Sequence, residues 1–244
     1  FRGRVSVPKV VPELCSARVL TSEFVEGRPV DQGVDELSQE RRDEIARFQL
    51  EITMRELFEW RFMQTDPNWG NYLYDPEGAG GAGVLHLIDF GAARDYPKNF
   101  VDGYAELVWS AANGDKETMV EVSKAMGFLT GDESPAMIEA HINAGLVVGE
   151  PFFTSKPFDF HGSGITARIA AYSETFAKHR LTPPPREAYS LHRKLAGAFL
   201  MCIKLQAVFP CRDVLEDVYT SFKQRRLREE AEDADEAQAL RQGA

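Results

Sequence analysis

Gln64-Thr65-Asp66-Pro67-Asn68-Trp69-Gly70-Asn71, followed further on by Ile88-Asp89-Phe90-Gly91, is the stretch on which the reading of this chain turns. Pro67 and Gly70 keep the first segment from being helical throughout, so it reads as a loop. Tyr72–Tyr74 and Val84–Ile88 read as two short strands, which puts Asp89 at the end of an apolar strand. A rigid element of that kind can deliver a carboxylate into a cleft. The two segments together hold two carboxylates and one amide. Transfer of a γ-phosphoryl group asks little covalent chemistry of a protein. It asks for metal ions on the phosphate oxygens and a carboxylate that orients the accepting hydroxyl or water. Asp66, Asn71 and Asp89 suit that task.

Working outward, Val19–Val25 reads as a strand that ends in the linker Glu26-Gly27-Arg28-Pro29. Ser38 is placed to cap a helix running to about Phe62, with Ile45, Phe48 and Ile52 on one face and Leu57, Phe58 and Phe62 continuing its apolar load. Glu77-Gly78-Ala79-Gly80-Gly81-Ala82-Gly83 reads as a flexible hairpin tip; no Lys-Ser/Thr follows it and no helix begins there, which sets aside a phosphate-binding P-loop. After Gly91 the pattern is helical. Phe100, Tyr104, Leu107 and Ala111 mark one helix, Asp115 caps a second that stops at Gly127, and Ser134-Pro135 opens a third. Ile169, Tyr172 and Phe176 form a fourth stripe that ends before Pro183, and Ala188 to Val208 supplies a fifth. The expected fold class is α+β, mainly α.

The 244 residues are enough for one good-sized core, and the longest apolar segments, Leu57–Met63, Val84–Ile88 and Ala196–Ile203, are too short to cross a bilayer. A formal net charge of −10 with no basic face argues against nucleic acid as a partner. Much of the acid lies between Arg228 and Asp235, where a solvated helix or disordered tail is expected. Cys15, Cys202 and Cys211 form no Cys-x-x-Cys pair and read as reduced thiols in an intracellular or organellar compartment. His86 reads as a satisfied packing residue, and the five histidines make no zinc site. The chain begins at Phe1, not Met, and reads as a piece of something longer.

Protein kinases place an Asp five residues before a metal-binding Asn, with a downstream Asp-Phe-Gly as the other metal carboxylate. Asp66, Asn71 and Asp89 have that spacing and order. The loop is similar to the Gln-Thr-Asp-Pro catalytic loop of the UbiB-type, or aarF-domain-containing, atypical kinases. Asn68-Trp69 after the Pro resembles the mitochondrial branch of that family associated with coenzyme Q biosynthesis. Val11-Pro12-Glu13-Leu14-Cys15-Ser16, Arg55-Glu56-Leu57-Phe58-Glu59 and Tyr189-Ser190-Leu191-His192-Arg193-Lys194 carry the same likeness, which runs from about Val5 to about Arg226.

The resemblance implies a protein-kinase-like C-terminal lobe with a small β-hairpin, the N-terminal lobe being almost wholly missing. Residues 1–27 would be the last strand of that lobe and the hinge, 28–226 the C-terminal lobe and 227–244 a charged tail. It implies Asp66 as the catalytic carboxylate, Asn71 and Asp89 as ligands of Mg²⁺ or Mn²⁺ on ATP, and Glu23, Phe24 and Val25 as the backbone hinge beside adenine. The implied partners are nucleotide, coenzyme Q biosynthesis proteins and membrane lipid, on the matrix side of mitochondria, peripheral to the inner membrane. Two departures bear on activity: Thr65 replaces the Arg that reads a phosphorylated activation loop, and Asn68 replaces a Lys that steadies the γ-phosphate. No phosphate-pairing Lys precedes the hinge except Lys9, which lies too close to it, so residues 1–244 alone are expected to be inactive. A nucleotide-switched scaffold without phosphoryl transfer stays open beside the enzyme. A small-molecule kinase of the aminoglycoside or choline type ranks behind both, because a His usually lies near its catalytic Asp.

Overall fold

The computed structural model describes residues 3–242, with side chains through Asp233. The first half contains β1 (Val5–Ser6), β2 (Arg28–Pro29), α1 (Gln39–Phe58), β3 (Phe62–Gln64), β4 (Tyr72–Asp75), the single turn α2 (Gly78–Gly81), β5 (Val84–Leu87) and β6 (Ala93–Asp95). The second half contains α3 (Lys98–Ala112), α4 (Lys116–Ala125), α5 (Pro135–Gly149), β7 (Pro157–Asp159), α6 (Ile165–Ala170), α7 (Ser173–His179), α8 (Arg186–Lys204), β8 (Val208–Pro210) and α9 (Arg212–Gln242). The chain is mainly helical with small sheets, as expected.

The core forms around α1, which packs on α8 and α9. Ile45, Leu50, Leu57 and Phe58 are almost fully buried there with Leu191, Cys202, Val218 and Phe222. Phe58 meets Phe222 edge to face at 6.5 Å between ring centroids. Burial of this kind stabilises by about 1.5–3 kcal/mol for each large apolar side chain, which is why tertiary packing rather than helix propensity holds α1 in place. Ser38 caps α1 by accepting the Arg41 N–H, Asp115 caps α4 by accepting the Thr118 N–H, and Ser134 caps α5 by accepting the Met137 N–H.

Two small sheets set up the site. One has the order β1-β5-β4-β2, with β4 and β5 antiparallel, and the other pairs β3 with β6. A third pair, β7 with β8, clips the chain near Phe158 and Phe209 and has no counterpart in the sequence reading.

Several expectations are corrected. The first helix stops at Phe58 rather than Phe62, because Arg61 takes a left-handed backbone (φ 53°) that turns the chain into β3. Phe62 is consequently a half-exposed strand residue. Val19–Val25 makes no continuous strand: its contacts include bridges between Val10 and Ser22 and between Ser16 and Val19, with Val11 N–H donating to Thr21 O at 2.9 Å and Glu23 N–H to Lys9 O at 2.8 Å. The turn at Pro12–Leu14 intervenes, so the two arms meet over only a few residues.

The fourth helical stripe is two short helices, α6 and α7, separated at Ala171 and Tyr172. α8 ends at Lys204, and Val208 belongs to β8. The expected tail is continuous with a 31-residue α9 that starts at Arg212; Gly243 and Ala244 lie outside the described residues. The glycine-rich tip does join β4 to β5, but it is pinned. Arg41 donates to Gly81 O and Ala82 O, and Arg4 donates to Gly83 O.

His86 is half-buried, and among the described residues its Nδ1 finds no hydrogen-bond partner, so it packs without being satisfied there. Cys15, Cys202 and Cys211 are free thiols. Among the described residues, no helix is long and apolar enough to cross a membrane.

Candidate active site

Both loops of the site are stapled at each end by strands that pair with one another. β3 leads into the loop at 65–71, and its partner β6 leaves the loop at 88–92, with Gln64 opposite Ala93. β4 leaves the first loop and β5 enters the second, with Tyr72 opposite Leu87. Chain connectivity therefore forces the two loops to face each other. Two further contacts tighten the junction: Ile88 N–H donates to Asn71 O at 3.1 Å, and the Thr65 hydroxyl donates to Ala92 O at 2.7 Å.

Within this frame Asn71 Nδ2 donates to Asp66 Oδ2 at 3.0 Å. The other carboxylate oxygen, Asp66 Oδ1, accepts the Asn68 N–H at 3.3 Å, and Asn68 Oδ1 in turn accepts the Gly70 N–H at 3.0 Å. Asn71 is 8% exposed, Asp66 is half-buried and Asp89 is exposed. Asp89 Oδ1 accepts the Gly91 N–H at 2.8 Å, which fixes the carboxylate against its own turn. The three residues are thus neighbours at the open end of the β4–β5 hairpin. The oxygens not engaged in the loop, Asn71 Oδ1 and Asp89 Oδ2, are hard donors of the kind Mg²⁺ takes, and two protein ligands are usual where phosphate and water complete its shell. No cluster of three His, Cys, Asp or Glu able to hold a metal by themselves occurs among the described residues.

Glu23, Phe24 and Val25 lie on the extended segment that runs into β2, the edge of the sheet that also bears β4 and β5. Phe24 is 87% exposed, and Glu23 is occupied with the Lys9 N–H. These three share no hydrogen bond with the loop pair among the described residues.

Residues quoted above for the resemblance, but given no role there, lie beneath the loop on α8 and α1, together with Gly197 of α8. Arg193 donates to Thr65 O at 3.5 Å, and a Cβ at Gly197 would overlap Pro67. Lys194 reaches Gln64 and Tyr72. Glu56 of α1 accepts the Gln64 N–H at 3.3 Å, and burial pushes its carboxyl up to about 7 against the opposing pull of Lys194. A signal was present in the sequence. Leu191, Lys194 and Ala198 fall at helical spacing on the buried face of α8, and a lysine at an apolar-periodic position marks a buried polar contact.

The fold and the facing loops define a kinase-like C-terminal lobe. A model of the ABC1 atypical kinase-like domain matches residues 2–123, and the chain belongs to that family. It is 49% identical over 217 residues to the mitochondrial atypical kinase COQ8B of Danio rerio, covering 89% of this chain and 34% of that protein. It is 44% identical over 218 residues to coq-8 of Caenorhabditis elegans, covering 89% and 29%, and 35% identical over 215 residues to COQ8 of Saccharomyces cerevisiae, covering 87% and 42%. These relatives are named as mitochondrial atypical kinases, which places this chain among mitochondrial proteins. The chain spans about a third of their length. The solved structure of Rv3197 of Mycobacterium tuberculosis, in complex with erythromycin, matches with a TM-score of 0.68 at 19% identity over 88% of this chain and 52% of that one; the likeness shows the fold.

Proposed function

We propose that the intact protein is a UbiB-type atypical kinase or ATPase that binds Mg-ATP across this lobe and supports ubiquinone biosynthesis on the matrix side of mitochondria. The observation that carries this reading is the Asp66–Asn71 hydrogen bond in a loop strapped to the Asp89 loop. Asn71 Oδ1 and the Asp89 carboxylate would hold Mg²⁺, or Mn²⁺ in its place. Held there, such an ion would supply positive charge against the phosphate oxygens. Asp66, steered by the Asn71 amide, orients the attacking hydroxyl or water and accepts its proton. Glu23 to Val25 would meet adenine through their backbone groups. The partners on this reading are nucleotide, coenzyme Q biosynthesis proteins and membrane lipid.

In the full-length protein, Asp66→Asn and Asp89→Asn should each lower Mg²⁺-dependent ATP hydrolysis by about 100-fold or more. Asp66→Asn should leave nucleotide affinity nearly unchanged, whereas Asp89→Asn should raise the Mg²⁺ concentration needed. A second reading, a nucleotide-driven conformational switch, is favoured by Asn68: no cation stands at that position, and its side chain is committed to the Gly70 N–H. Nucleotide binding without metal-dependent turnover, alike in wild type and both variants, would leave the switch and remove the enzyme.

A further inference from the structure

Lys194 is 1% exposed, yet its ammonium lies in polar company drawn from three elements. Nζ donates to Gln64 Oε1 at 2.9 Å and to the Tyr72 hydroxyl, and it stands 3.9 Å from Glu56 Oε2 and 5.1 Å from the Tyr72 ring centroid. Gln64 lies two residues before Asp66, and Tyr72 directly follows Asn71. One cation on α8 therefore holds both ends of the candidate catalytic loop at once. Glu56 adds a second hold on the entering end through the Gln64 N–H.

The loop's internal hydrogen bonds span five residues at most: Asn68 N–H to Asp66, Gly70 N–H to Asn68, Asn71 N–H to Asn68, Tyr72 N–H to Trp69 and Asn71 Nδ2 to Asp66. None of them joins Gln64 to Tyr72. Burying an ammonium carries a desolvation cost that a well-packed apolar side chain would avoid, so stability alone is a poor reason for a lysine here. By joining Gln64 to Tyr72, Lys194 adds to the direct Asp66–Asn71 hydrogen bond a second hold on the register of that pair.

We propose that Lys194 is a positioning residue that sets the spacing of Asp66 and Asn71 by tethering Gln64 and Tyr72; the catalytic importance of that spacing rests on the reading of the pair given above. Removing Lys194 alone strands Glu56 in the interior, so Lys194→Met is tested with the Glu56→Gln/Lys194→Met double variant, which leaves no lone charge. Hydrogen–deuterium exchange and Mg²⁺-dependent ATP hydrolysis are measured on the full-length protein.

In the double variant, exchange over 64–72 should rise on the order of 10-fold or more while α3, at 98–112, stays within about 2-fold of wild type. The turnover number should fall on the order of 10-fold or more, with KM for ATP changed by less than about 3-fold. Unchanged exchange over 64–72 in a folded double variant overturns the tether. A rise spread equally over 98–112 overturns it too, in favour of a role in general stability. Full turnover in Asp66→Asn, or none in wild type, would instead remove the phosphoryl-transfer reading and leave the exchange result to decide on the tether.

Discussion

Asn71 donates from its side-chain amide to Asp66 and accepts the Ile88 N–H at its backbone carbonyl, so one residue couples the candidate base to the loop of the candidate metal carboxylate. That coupling follows from position rather than from any unusual side chain. Glu56 is the residue beneath the site with the clearest pH signature. Its carboxyl is raised by burial to about 7, so between its ordinary range and about 7 the folded state holds a proton that the unfolded chain has released. Stability from this group therefore falls as pH rises through that window and levels off above it. The stability of wild type relative to Glu56→Gln should drop by up to about 3 kcal/mol between about pH 5 and about pH 8, measured by denaturant unfolding. A difference that does not change with pH would mean that Glu56 is not buried as described.

At the scale of elements, the site exists because β3 pairs with β6 while β4 pairs with β5. The sequence exposed half of this arrangement. Tyr72–Tyr74 and Val84–Ile88 carry the apolar, β-favouring residues of a hairpin, and Ser38, Asp115 and Ser134 announce their helices through capping chemistry. β3 and β6 are short and bear mixed side chains, so nothing in Phe62–Gln64 or Ala93–Asp95 signals a strand; their pairing is imposed from outside once α1 and the hairpin are in place. The buried lysine of α8 left a trace in the helical spacing, but the contact of that helix with Pro67 was hidden for a related reason. Pro67 and Gly197 are 130 residues apart in number, and close approach over that distance leaves no local pattern. Gly197→Ala should force α8 and the Pro67 ring apart, costing about 1–3 kcal/mol in thermal or denaturant unfolding and lowering turnover with it. A fully stable, fully active Gly197→Ala would show that α8 does not bear on the loop. Arg41→Ala should release the glycine-rich tip, seen as faster proteolysis or exchange at 78–83 with the core unaffected.

For the whole molecule, the fold is one half of a nucleotide cleft on the proposed reading. Leu20 and Phe24 are 78% and 87% exposed on the segment that leads into β2, beside the sheet that carries Asn71 and Asp89. Residues 1–244 alone should show no ATP turnover and no saturation by Mg-ATP below about 1 mM, by calorimetry, while the full-length protein binds far more tightly. The measurement that bears most directly on the site is anomalous scattering from Mn²⁺ in crystals of the full-length protein grown with a non-hydrolysable ATP analogue. The metal peak should lie against Asn71 Oδ1 and the Asp89 carboxylate, with Asp66 facing the γ-phosphate. A metal–nucleotide complex bound away from these three residues would contradict the account.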